Sequence, residues 1–222
     1  MEIREAIRTT GAVRSFTDEP VDDAVLAEIL DDARFAPSGG NRQPWKVAVI
    51  QNPDLRRIIG SLMRGVMQDY FAIGATGRTP FNALDPDSFQ PQHETGPETP
   101  FPLVEQIEKA PIVLAIAADL AKVAMMDYGN PVRPPVTAGG SVYPFCWSIL
   151  LSARAHGLGG VMTTFLSRVE SHGGAALGLP SGHALAATIV LGHPVHQATK
   201  LKRKPVSAFA TVDRFDGKAF GS

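Results

Sequence analysis

Apolar residues recur every three or four positions over Val25, Leu26, Ile29, Leu30 and Ala33, the spacing that lines one face of a helix. Pro20 and Asp22 supply the signals that open it. Ile3, Ala6 and Ile7 share a shorter helical face near the start. Leu55, Ile58, Ile59, Leu62 and Val66 predict a third helix that begins at Asn52-Pro53-Asp54. Lys46–Ile50 reads as a strand, and Ile112–Ala118 is unbroken apolar sequence, as expected of a strand covered on both faces. A short helix is expected from Leu120. Ser141 is placed to cap a helix running to His156, with Pro144 tolerated in its first turn. Tyr143, Phe145, Trp147, Ile149, Leu150 and Leu151 make that helix apolar nearly all round, so it must be buried in a core or against another subunit. A glycine turn, Gly157-Leu158-Gly159-Gly160, leads into strand-like Val161–Phe165. A weak helix follows to Leu177, then a strand at Ala184–Leu191 that Gly192-His193-Pro194 ends. Beyond it lies a basic, extended tail to Ser222. Strands and helices alternate, so the class is α/β or α+β with a mixed sheet.

One loop interrupts this order with unusual density. Ala36-Pro37-Ser38-Gly39-Gly40-Asn41-Arg42-Gln43-Pro44-Trp45 joins the Val25–Ala33 helix to the strand at Lys46. Its prolines stiffen both ends, and its glycines permit positive φ and close approach of backbone to a flat ligand. Between them stand a hydroxyl, two amides and a guanidinium, groups that suit the edge of a heteroaromatic ring. A second departure is the proline-rich stretch from Gly74 to Pro102. It is too long for an ordinary connection and reads either as a lid or as disorder.

At 222 residues the chain is expected to form one domain, with an excursion at about 74–102 and a tail at about 195–222. The formal charge of −1 argues against a nucleic-acid partner. No run reaches the length of a membrane span, and the acidic, amphipathic N-terminus is not a signal peptide, so a cytoplasmic protein is expected. Cys146 is the only cysteine, which excludes an internal disulfide. No HExxH motif, P-loop or G-x-S-x-G elbow occurs. Gly157–Gly160 joins a helix to a strand, the reverse of the Rossmann order. What remains is a scatter of polar turns at 9–14, 38–43, 159–164 and 200–204. Together they offer cations for a phosphate and neutral donors for a planar group.

Four segments, in order, resemble the FMN-dependent nitroreductase superfamily. They are Ala6–Phe16 with Glu19-Pro20-Val21, Ala36–Trp45, Ser148–Thr164, and Ile189–Pro194 with Leu201-Lys202-Arg203-Lys204-Pro205. The resemblance runs in order across most of the chain, with the region from about Ile59 to Glu108 left uncovered. The resemblance implies an α+β fold and an intertwined homodimer, with FMN at the subunit interface and the tail reaching across the partner. It assigns Arg14, Arg203 and Lys202 to the phosphate. It places Pro37, Ser38, Gly39, Asn41 and Gln43 against the isoalloxazine from the other subunit. Gly160, Met162, Thr163 and Thr164 come to the flavin edge, with the two threonines nearest N5. It further implies ping-pong transfer of reducing equivalents from NAD(P)H to a nitroaromatic- or quinone-like acceptor. No catalytic acid or base is required of the protein.

The sequence departs from the family at one place. Where the family has Arg-Arg-Ser-x-Arg, this chain reads Thr10-Gly11-Ala12-Val13-Arg14. Two cations are lost, which implies a weaker hold on the phosphate unless Arg8 or a tail lysine compensates. Reductive dehalogenation of the iodotyrosine deiodinase type is the rival within the superfamily. That group grips a zwitterion with a glutamate, a tyrosine and a lysine, and no lysine lies between Val47 and Glu108. A flavin-binding protein without turnover, or an interaction protein that keeps only the fold, is the rival from another class. Phe71, Phe81, Phe89 and Phe101 are candidates to stack on an aromatic acceptor.

Overall fold

The computed structural model describes residues 1–79, 81–85 and 101–221. Its centre is a four-stranded sheet of β1 (Trp45–Val49), β2 (Ile112–Asp119), β3 (Gly159–Thr163) and β4 (His183–Gly192), ordered β1-β2-β4-β3. Every neighbouring pair is antiparallel. This corrects the expected mixed sheet. The one parallel pairing among the described residues is an isolated bridge from Ala12 to Gly160, too short to count as a strand.

Helices cover both faces. On one side α2 (Asp23–Ala33) and α5 (Tyr143–Ala155) pack Leu26, Ile29, Phe145, Cys146 and Ile149 over Leu114, Ile116 and Ile189. On the other, α3 (Pro53–Ala75) and α4 (Pro102–Lys109) pack Ile59, Met63, Met67 and Ile107 over Val113, Ala115, Val161 and Val190. This double cover is why β2 reads as an unbroken apolar run. A register shift opposite Ile116/Ala117 inserts one residue into β4 and turns Leu185 onto the α3 side. The remaining helices are α1 (Ile3–Thr9), α6 (Phe165–Arg168) and α7 (Glu170–Leu177). None of the described helices is long and apolar enough to cross a membrane.

The caps explain where the helices begin. The Asp22 side chain accepts from the Ala24 N–H, and Asn52 accepts from Asp54 and Leu55. α3 runs to Ala75, so Gly74 is helical and the excursion begins later than its composition suggests. Most of that excursion, Phe89 included, lies outside the described residues. The α3 stripe is also shifted: Ile58 is half exposed, while Met63 and Met67 are buried. Ser141 is not a helix cap. Val142 occupies that position without a side-chain bond, and the Ser141 hydroxyl turns away to the Gly39 N–H at 3.0 Å. On α5, Tyr143 and Trp147 stay 39% exposed on one face. The tail is not simply extended, since Thr211 bridges Ala219 and residues 206–208 form a single 3₁₀ turn.

Candidate functional site

The loop after α2 is held in a conformation that few sequences adopt. Gly40, Asn41 and Gln43 all have positive φ, at 59°, 53° and 47°. Two of these are not glycine, and asparagine is the side chain that tolerates this region best. Hydrogen bonds fix the shape from within and below. The Ser38 hydroxyl accepts from the Gln43 N–H at 3.0 Å, and the Asn41 N–H donates to the Ser38 carbonyl at 2.9 Å. The Gln43 amide donates to Asn41 Oδ1 at 3.2 Å. Ser141 anchors Gly39 from the segment before α5. At the exit, Trp45 stacks on Phe145 with centroids 4.6 Å apart and planes 4° from parallel. The loop is therefore preorganised, and its polar tips point outward, with Pro37, Gly39, Asn41 and Gln43 all exposed.

A separate cavity of about 360 Å³ opens beside β3. Thr10 ends α1 by bonding its hydroxyl to the Ala6 carbonyl at 2.7 Å. The chain then pairs with β3, Val13 N–H donating to the Gly160 carbonyl at 2.9 Å. This approach depends on glycine. A Cβ on Gly159 would lie 2.7 Å from Val13 Cγ2, and one on Gly160 would lie 2.4 Å from Leu191 Cδ2. Val13 goes inward and Arg14 outward, to the cavity rim. There the guanidinium has no hydrogen-bond or ion-pair partner among the described residues. Met162, Thr163 and Thr164 complete that side. The opposite walls are Met67, Tyr70, Phe81, Phe101 and Phe165. Tyr70 makes an edge contact with Phe81 at 5.7 Å and a tilted one with Phe165 at 6.3 Å. The two threonines differ. Thr163 is buried and its hydroxyl accepts from the Phe165 N–H at 3.3 Å, whereas Thr164 is exposed.

The Nitroreductase family model matches residues 7–193, which span the N-terminal turn, the loop, β3 and β4. The chain belongs to this family. Its relatives include a Thermus thermophilus NADH dehydrogenase, 25% identical across 93% of each chain. Another is the 5,6-dimethylbenzimidazole synthase of Rhodospirillum rubrum, 29% identical over 86% of this chain and 82% of that one. Among solved structures, iodotyrosine deiodinase bound to FMN and 3-iodo-L-tyrosine superposes with a TM-score of 0.67. It is 20% identical and covers 92% of this chain and 96% of its own. At that identity the likeness is one of fold.

Against this family background, the predicted site residues fall into three groups. Arg14, Met162, Thr163 and Thr164 share the cavity. Gly160 is not part of the lining; it is a packing residue whose carbonyl holds Val13. Pro37, Ser38, Gly39, Asn41 and Gln43 belong to the preformed loop and do not line the cavity of their own chain. Lys202 and Arg203 are exposed on the tail, Arg203 donating to the Lys202 carbonyl at 2.8 Å. Met67, Leu103 and Phe165 were not anticipated as lining residues; each reads in sequence as ordinary helix or core. Phe81 and Phe101 do line the cavity, while Phe71 stands behind it, in edge contact with Tyr70 and Phe101. Cys146 is buried and its thiol is pushed up to about 12 by desolvation, so it is no nucleophile at neutral pH.

Proposed function

We propose that this protein is a homodimeric FMN-dependent oxidoreductase that uses NAD(P)H to reduce a small, flat acceptor. One observation carries the reading. One chain carries two unlike features, an aromatic cavity with an arginine that is unpaired among the described residues and a preformed polar loop that does not line that cavity, and we read them as two halves of a flavin site. A two-fold dimer brings such halves together, one from each chain.

The donor set suits the cofactor. Arg14 is an exposed cation with no ion-pair partner among the described residues, a group suited to a phosphate. The loop offers backbone N–H groups and amides already fixed in place, as the polar edge of an isoalloxazine requires. Bound FMN would supply the redox chemistry, taking a hydride from NAD(P)H and reducing the acceptor in a second half-reaction. The chain's own part is to bind, orient and exclude water. Thr163 is buried with its oxygen accepting from the Phe165 N–H, so Thr164 is the more accessible of the two hydroxyls for the reacting edge. Tyr70, Phe101 and Phe165 give a planar acceptor aromatic surface to pack on, and Phe81 adds an exposed ring to the same lining. With Arg14 assigned to the phosphate, the rest of the described lining is uncharged, which suits a flat, apolar acceptor.

The test is a visible absorption spectrum of the purified protein and of the supernatant after heat denaturation. The expected result is FMN released in proportion to the chain and bleached in the holoprotein by NADH or NADPH. Colourless protein that does not quench added FMN would overturn the proposal.

A further inference from the structure

β4 is longer than the strand beside it. It runs from His183 to Gly192, but β3 pairs with it only from Thr188 to Gly192. The first residues of β4 therefore have β2 on one side and, among the described residues, no strand on the other. Backbone groups left open on a buried stretch need partners. Leu185 is buried, and it finds them in side chains. Its N–H donates to Glu170 Oε2 at 2.5 Å, and its carbonyl accepts from the Ser167 hydroxyl at 2.6 Å. Gly173 lets the helix come this close. A Cβ there would stand 2.7 Å from Leu166 Cδ1 and 3.4 Å from Leu185 Cδ1. One strand thus anchors the chain twice. Thr163 pairs with Thr188 at the end of β3, and Ser167 and Glu170 bond to Leu185. Thr164, Phe165 and Leu166 span the gap between the anchors. The first two line the cavity, and Leu166 is buried.

We propose that Ser167 and Glu170 stand in for the missing strand at Leu185 and so hold Thr164 and Phe165 in the cavity. They are positioning residues, since neither belongs to the lining. On the flavin reading above, on which this rests, the pair fixes where the Thr164 hydroxyl and the Phe165 ring meet the reacting edge. In sequence both belong to a weakly patterned helix, and nothing there announces a contact with β4.

Amide hydrogen exchange of the purified protein, read beside steady-state turnover, tests the assignment. Glu170→Ala should speed exchange at Leu185 and Phe165 by roughly ten- to a hundred-fold, the range for a hydrogen bond to a charged group, and leave Val161 unchanged. At saturating acceptor it should lower turnover about five- to ten-fold, as a small misplacement of reacting groups does, without weakening FMN binding. Glu170→Gln keeps an oxygen that accepts from Leu185 and should restore both readouts. Ser167→Ala should shift both the same way as Glu170→Ala. In a Thr164→Val, Phe165→Leu background, Glu170→Ala should add little to the loss of turnover while still speeding exchange at Leu185. Equal acceleration at Val161 and Phe165 would mean a merely structural role and overturn the proposal. So would unchanged exchange at Phe165, additive losses of turnover, or failure of Glu170→Gln to restore. If the wild-type protein binds no FMN, the flavin reading falls, while exchange at Phe165 still decides whether Ser167 and Glu170 hold this segment.

Discussion

Single residues here divide into those that shape the site and those that face it. Gly160 is of the first kind. An added Cβ would meet Leu191, Leu150 and the Val190 carbonyl all within 3 Å, so Gly160→Ala should cost about 1–3 kcal/mol through overpacking. A denaturant midpoint measures this, and an unchanged midpoint would show that β3 has slack. Thr163 and Thr164 separate in the same way. Thr163→Val leaves the Phe165 N–H without its acceptor and should lower stability by about 1–3 kcal/mol. Thr164→Val, at an exposed position, should spare stability yet reduce turnover several-fold with NAD(P)H and a nitroaromatic. If both variants lose only stability, Thr164 is not at the reacting edge. The sequence presents these two as an equivalent pair; they differ because β3 ends between them, leaving Thr163 buried as its last residue while Thr164, with φ −112° and ψ 12°, turns out of the sheet ahead of α6 and is exposed.

Most elements were legible because each carries its own local signal. Asp22 and Asn52 cap helices from within one turn, and β2 and β4 are apolar runs of strand length. Ser141 shows the limit of such signals. It has a capping residue's composition and position, yet a longer-range bond to Gly39 takes its hydroxyl. The 125–136 loop shows the same limit. Asp127 accepts from the Thr137 hydroxyl, Arg133 and the Val136 N–H, tying together a segment that exposes Met126, Tyr128 and Val132. Chiefly through the Thr137 hydroxyl, and then Arg133, its carboxyl is held well below the usual range. A carboxylate depressed in the folded state contributes its stability above the unfolded pKa, about 4, and loses it as pH falls through the lower folded value. The clamp should therefore stay closed through neutral and mildly acidic pH and open only in stronger acid. Hydrogen exchange at Val136 and Thr137, corrected for intrinsic rates, should show this, with Asp127→Asn opening the loop at neutral pH. Opening already above about pH 5 would contradict the assignment.

At the scale of the whole molecule, exposed apolar surface and the proposed division of the site point the same way. Tyr143 and Trp147 lie along one exposed face of α5, and the tail exposes Phe209, Phe215 and Phe220. Large exposed apolar area of this kind marks a contact surface, and a two-fold dimer is the assembly proposed to cover it. If each site takes its cavity from one chain and its loop from the other, two differently disabled chains should complement. Arg14→Met and Asn41→Ala homodimers should each bind FMN weakly. Their mixed dimer should regain one normal site, because both defects fall together in the other. Equal weakness in the mixed dimer would place loop and cavity in the same site within one chain. The sequence by itself determined the helices, the strands and the loop at Ala36–Trp45, because periodicity, caps and turn chemistry act over a few residues. It also carried the family, through short motifs that keep their local form. Only the tertiary structure decided that the sheet is antiparallel, that Thr164 rather than Thr163 is exposed, and that Leu201 fills the space beside Gly11. Those outcomes depend on which distant segments come to lie side by side, and a distance of 190 residues along the chain leaves no periodic trace for sequence to reveal.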